Sequence, residues 1–291
     1  MEVVSSNRYA RGVDVVAHEP TVRAAIFLAV FGLVAASEAI APRRARGIGR
    51  RIRWPHNLAI PVLSTVLVRA LLPTTAIGVA LLAEERRWGL LPALGPLPSW
   101  LAVAVAVLVL DFAIYLQHVL FHAVPLLWRL HRMHHADLDV DVTTGTRFHP
   151  IEIVLSMVLK FGVIVAIGAP PLAVLVFEVL LNAGALFNHA NLRLAPTVDR
   201  ALRWLVVTPD MHRVHHSIDP TETNRNFGFT LPWWDRVCGT YRAQPGAGHE
   251  RMVLGIPEFR TPTDLRLDRL LLQPFLDSPP SAPILSRPVR R

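Results

Sequence analysis

Apolar runs of membrane-spanning length constrain this chain more than any other feature. A bilayer core calls for roughly 20 consecutive apolar residues of helix, because no water is present there to satisfy free backbone N–H and C=O groups. Thr21–Ile40, "TVRAAIFLAVFGLVAASEAI", has that length, with Glu38 near one end. Leu58–Ala83 is a second run, and Arg69 and two prolines inside it predict a kinked or tilted span. "GLLPALGPLPS" (89–99) reads as a loop or a shallow re-entrant segment. Trp100–Leu116 is the most hydrophobic stretch. Residues 151–187 hold two further runs split by Pro170 and Pro171, the pattern of a helical hairpin with its tight turn at the far side of the membrane. The predicted fold is all-α: an integral membrane stem of four to five transmembrane helices.

Charge orients that stem. The 291 residues are 52% hydrophobic and carry a formal charge of +8, held almost wholly by arginine, since Lys160 is the only lysine. The arginines fall between and after the apolar runs, which suits anionic headgroups and the positive-inside rule rather than nucleic acid. "PRRARGIGRRIR" (42–53) places Arg43, Arg44, Arg46, Arg50, Arg51 and Arg53 beside the first span and reads as a cytoplasmic loop. Counting spans from there returns residues 118–149, His189 and 212–216 to the same cytoplasmic face. The first run lacks an A-x-A-like cleavage site and reads as a retained helix rather than a signal peptide. The tail 277–291, "DSPPSAPILSRPVRR", is predicted to be disordered.

The chemistry lies in the histidines. Thirteen are present, and Cys238 is the only cysteine, so no intrachain disulfide or thiolate-rich metal site is available. "HVLFH" sets His118 and His122 four apart, on one helix face. "HRMHH" (His131, His134, His135) and "HRVHH" (His212, His215, His216) repeat one spacing. In each triplet the i, i+3 pair is expected to face one way, with the last ring rotated by about 100°. A triplet of that kind serves two adjacent ions. These eight rings, with His149 and His189 at the membrane ends of the hairpin, exceed what one ion accepts and suit two ions at four or five ligands each. Imidazole suits zinc, copper, iron and nickel. His18, His56 and His249 read as structural.

The set H-x-x-x-H, H-x-x-H-H, H-x-x-H-H resembles the fatty acid hydroxylase superfamily, also called the sterol desaturase family. "DFAIYLQHVLFH", "RFHPIE" (147–152), "NHANL" (188–192), "TPDMHRVHHS" and "NRNFGFTLPWWDRVCGTY" (224–241) are similar to its bacterial sterol-desaturase-like branch. The resemblance covers roughly residues 95–260, between N-terminal helices with their arginine loop (1–94) and a C-terminal tail (261–291). It implies a non-haem di-iron oxygenase that hydroxylates or desaturates a lipid, sterol or isoprenoid before fatty acyl. It also implies a bacterial inner-membrane protein whose helical, histidine-rich cap faces the cytoplasm.

The resemblance carries His118, His122, His131, His134, His135, His189, His212, His215 and His216 over as iron ligands. Some members hold a further histidine four before the one at His189; here that position is Ala185, and His149 is a candidate replacement. Asp111, seven residues before His118, is expected to accept from that ring's distal nitrogen, with Asn188 and Asp210 in similar supporting roles. Trp233, Trp234 and Tyr241 read as interfacial anchors. The implied co-reactants are a lipid entering from the bilayer, O2, and an external electron donor of ferredoxin or cytochrome type with its reductase. No flavin, dinucleotide or haem fingerprint occurs in the chain. A zinc-dependent hydrolase would call for a motif such as H-E-x-x-H, which is missing. A histidine-rich metal transporter would place its ligands at mid-membrane.

Overall fold

The structure, a computed structural model, describes residues 18–277. All but the first residue of the expected disordered tail lies outside them. The order is α1 (Glu19–Ile40), α2 (Arg50–Leu71), α3 (Ala76–Glu85), α4 (Leu90–Ala93), α5 (Ser99–Ala123), α6 (Pro125–His135), α7 (Pro150–Ile167) and α8 (Pro171–Asn188). Shorter helices follow: α9 (Pro196–Leu202), α10 (Pro209–His215), α11 (Pro220–Thr223), α12 (Trp233–Val237) and α13 (Leu267–Leu272). No strand forms among the described residues, only two isolated bridges. Five helical segments there are long and apolar enough to cross a membrane: α1, the broken unit Arg50–Ala93, α5, α7 and α8.

The broken unit departs from the single run expected over 58–83. Its first helix starts at Arg50, so part of the arginine-rich segment is helical rather than loop. Pro55 and Pro61 are tolerated inside it. The break comes at 72–75, where Pro73 offers no N–H and Thr75 restarts the helix by accepting from the Gly78 N–H at 3.1 Å. The hairpin forms as its sequence predicts. Gly168 closes α7 in the left-handed region at φ +65°, and Pro171 opens α8 at its first turn. Residues 88–89 lie against this turn: a Cβ on Gly89 would stand 2.0 Å from the Gly168 nitrogen. Glycine at both positions is what allows the contact.

Inside the stem, Ala76, Ala80, Ala106 and Ala173 let backbones approach closely around Leu110 and Phe177. A buried ion pair crosses the hairpin, with Lys160 Nζ donating to Glu178 at 2.7 Å, and Arg23 of α1 reaches the same carboxylate at 2.9 Å.

The cap is fastened by arginine. Arg53 is fully buried and donates to Asp137 and Asp141, each at 2.7 Å, while Arg147 approaches Asp137 at 3.3 Å. Arg50 pairs with Glu38 at 3.0 Å, and Arg43 pairs with Asp210 at 3.2 Å. Much of the arginine-rich segment therefore holds the cap to the stem instead of facing headgroups. Beyond residue 260 the chain still packs on the cap: Leu270 is buried with Ile60 and Met133. Arg129 and Arg132 donate to the carbonyls of Pro274 and Leu276.

Candidate metal centre

Three separate parts of the chain bring histidines to the cap end of the stem. The last two turns of α5 carry His118 and His122. Val124 is extended and Pro125 opens α6, so the chain turns sharply and presents His131, His134 and His135 back toward α5. His189 sits at the C-terminal end of α8. Thr208 caps α10 by accepting from the Met211 N–H, and this short helix supplies His212 and His215, with His216 as its C-terminal cap residue.

These nine rings form two groups, and within each the ligand nitrogens lie within 4.8 Å of one another. One group is His118, His122, His131, His135 and His215; the other is His134, His189, His212 and His216. All nine are buried. The split corrects the expected division of each triplet. It is the i, i+4 pair that shares a group, His131 with His135 and His212 with His216, and the middle ring crosses to the other. On a helix i, i+4 side chains diverge by about 40° and i, i+3 side chains by about 60°, so the outer pair is the better aligned. The exchange is reciprocal, because α6 gives its pair to the first group and α10 gives its pair to the second.

Hydrogen bonds fix the rings' polarity. The Nδ1 atoms of His118, His134, His189 and His215 donate to the carbonyls of Phe227 (2.7 Å), Arg147 (3.2 Å), Ala185 (2.7 Å) and Arg225 (2.8 Å). A carbonyl only accepts, so the hydrogen is on Nδ1 and each Nε2 presents a lone pair. The Nε2 atoms of His134 and His189 nevertheless face each other at 3.1 Å. Two lone pairs at that separation repel, and a cation between them reverses the sign. Imidazole nitrogens about 2.0–2.1 Å from one metal ion stand about 3.0 Å apart at a right angle and about 3.4 Å apart in a tetrahedron. The His118–His131, His122–His135 and His189–His212 Nε2 pairs are also at 3.1 Å. His215 Nε2 and both ring nitrogens of His216 are buried without a hydrogen-bond partner. The donor set fits two metal ions.

Electrostatics agree. Burial first, then the neighbouring imidazoles, hold His134, His135, His212, His215 and His216 well below the ordinary imidazole range. Burial takes His189 down to about 4. These rings are neutral, the form that binds metal.

The remaining candidates lie elsewhere. His149 joins neither group; it caps α7, its Nδ1 accepting from the Ile151 N–H at 3.2 Å and its Nε2 donating to Leu271 O at 3.3 Å. Ala185, where some members of the family hold a further histidine, contributes its carbonyl, which accepts from His189 Nδ1. Asp111 does not orient His118, whose Nδ1 is taken by Phe227 O; its carboxylate accepts from the Trp234 indole at 2.8 Å. Trp234 therefore ties α12 to α5. Asn188 donates to Phe229 O, and Asp210 pairs with Arg43 and Arg213. Sequence reasoning missed Glu152, which accepts from His131 Nδ1 at 2.7 Å, and Asn224, whose Oδ1 accepts from His122 at 3.2 Å. A carboxylate at the start of an apolar span was the available signal for Glu152.

Residues 103–240 match the sequence model of the family described as fatty acid hydroxylase. An ornithine lipid hydroxylase of Rhizobium tropici is 32% identical over 151 residues, 51% of this chain and 44% of that protein. Alkylglycerol monooxygenase of Xenopus tropicalis is 33% identical over 136 residues, 45% of this chain and 28% of that protein. The human alkylglycerol monooxygenase is 30% identical over 156 residues, 52% of this chain and 32% of that protein. The chain thus spans less than half the length of these relatives. No solved structure gives a significant match. All nine clustered histidines fall inside the segment that matches the fatty acid hydroxylase model.

Proposed function

We propose that this protein is a membrane-embedded, non-haem di-iron oxygenase that oxidises a C–H bond of a lipid. The observation that carries the reading is the face-to-face approach of His134 and His189 Nε2 at 3.1 Å within a buried, sulphur-free set of nine imidazoles. Two irons, at five and four histidines, supply the reductive activation of dioxygen. In overall balance, lipid, O2, two electrons and two protons give a hydroxylated lipid and water; desaturation gives an alkene and a second water.

The chain's own groups have definite tasks. Backbone carbonyls hold four rings in the tautomer that presents Nε2, and the Glu152 carboxylate does the same for His131. Burial excludes bulk water, and the apolar stem beside the site brings lipid chains to it from the bilayer. The residues 95–260 are the functional unit, with the cap on the cytoplasmic side of a bacterial inner membrane and electrons arriving from a separate donor. Relatives named for ornithine lipid and alkylglycerol support an acyl or alkyl chain of a membrane lipid over a sterol. The absence of H-E-x-x-H and the placement of both groups at one end of the stem weigh against the hydrolase and transporter alternatives.

Lipid extracts from cells making the full chain, compared with cells making His134→Ala or His215→Ala, test the reading. The intact chain should yield lipids heavier by one oxygen or lighter by two hydrogens. Each variant should lose that product while inserting into the membrane at the wild-type level. Product formation by either variant contradicts the proposal.

A further inference from the structure

The outer partners of the ligand rings are not equally covered. Phe227, Glu152, Arg147 and Ala185, which accept from His118, His131, His134 and His189, are all buried. The partners of His122 and His215 are adjacent residues at the surface. Asn224 is half-buried, and its Oδ1 accepts from His122 Nδ1 at 3.2 Å; Arg225 is exposed, and its backbone carbonyl accepts from His215 Nδ1 at 2.8 Å. Both rings belong to the five-histidine group. At this turn a single hydrogen bond separates a surface residue from each of two rings of the five-histidine group. Thr223 also donates to the His215 carbonyl, at 2.8 Å, so the segment is braced against α10.

We propose that the Asn224–Arg225 turn is the electron-entry point, the docking surface for an acidic one-electron carrier protein. The proposal rests on the oxygenase reading above. Electron tunnelling falls off exponentially with distance, so the thinnest covering over a ligand pair governs where a donor acts. Charge selects the donor. In residues 219–242, Arg242 is paired with the buried Glu222 at 2.9 Å, which leaves Arg225, exposed, and Arg236, half-buried, with Asp219 as the one exposed acid and Asp235 buried. The chain as a whole carries +8. Arg225 is pinned outward across the turn, its Nη1 donating to Gly239 O at 2.8 Å. Each encounter moves one electron from the carrier's reduced centre to the five-histidine side, the carrier leaving oxidised by one electron, and two encounters complete a turnover.

The test uses the full chain in nanodiscs, with an acidic [2Fe–2S] ferredoxin as the probe and dithionite as a small chemical reductant. Arg225→Glu should weaken ferredoxin binding to the metal-free protein by about tenfold or more and flatten its dependence on salt. In the iron-loaded protein it should slow reduction by ferredoxin to a similar extent. Arg225→Lys should keep both at wild-type values. Arg266→Glu, a charge reversal at a side chain 62% exposed elsewhere, should leave ferredoxin binding intact. Wild-type binding by Arg225→Glu, an equal loss in Arg266→Glu, or no ferredoxin binding by the wild-type chain overturns the proposal. Failure of the dithionite-reduced protein to oxidise lipid would instead count against the oxygenase reading, because the binding arm does not depend on turnover.

Discussion

At the scale of single residues, the opposed lone pairs of His134 and His189 make the four-histidine group dependent on its ion. Removing His212 leaves three rings there, while the five-histidine group keeps all its members. His212→Ala should lower bound metal toward half the wild-type amount, since it takes one of four imidazoles from that group and none from the other. Metal analysis of the purified variant checks this, and full loading contradicts it. Glu152 acts through His131 and touches no metal position itself. Glu152→Ala should weaken metal retention by about 10–100-fold, as loss of a supporting carboxylate does elsewhere, whereas Glu152→Gln, still able to accept from Nδ1, should retain most of it. Competition with a chelator measures both. Eight of the nine rings were legible because they repeat short spacings, and His189 by its place at the end of the hairpin and in the family's pattern. The supporting partners were not, because four of them are backbone carbonyls supplied by residues 185, 147, 225 and 227, on which side-chain identity has no bearing.

Elements are joined to one another by buried charge. Asp137 lies between Arg53 of α2 and Arg147, and both arginines hold its carboxyl well below the ordinary range. Taking one member from a buried ion pair leaves the other uncompensated and costs about 3–5 kcal/mol. Asp137→Asn should therefore lower the thermal unfolding midpoint and expose the 136–147 segment to protease, and an unchanged midpoint contradicts that role. The membrane helices were legible element by element, since bilayer length and proline punctuation act locally. The break at 72–75 was less so, because Pro55 and Pro61 sit in continuous helix while Pro73 lies in the break. The cap helices α10, α11 and α12 span only 7, 4 and 5 residues, too short to display a period. The i, i+4 sharing within each triplet became visible only with α6 and α10 placed across from one another.

For the whole molecule, metal and fold are linked. A set of neutral, buried imidazoles that no ion holds together is a weak core, so chelation should lower the unfolding midpoint of the full chain and iron should restore it. Acid acts in the same direction. His189 is held at about 4 in the folded chain against an ordinary 6.5, so the unfolded chain binds the extra proton between those values. Stability of the metal-free protein should therefore fall as pH drops from 6.5 toward 4, and a flat or rising profile contradicts the burial assigned to this ring. The measurement that bears most directly on the central claim is metal content per chain, read together with X-ray absorption at the metal edge. Two irons per chain in a nitrogen-rich shell is the predicted result. One ion per chain, or zinc filling both groups in protein that oxidises no lipid, would contradict the account.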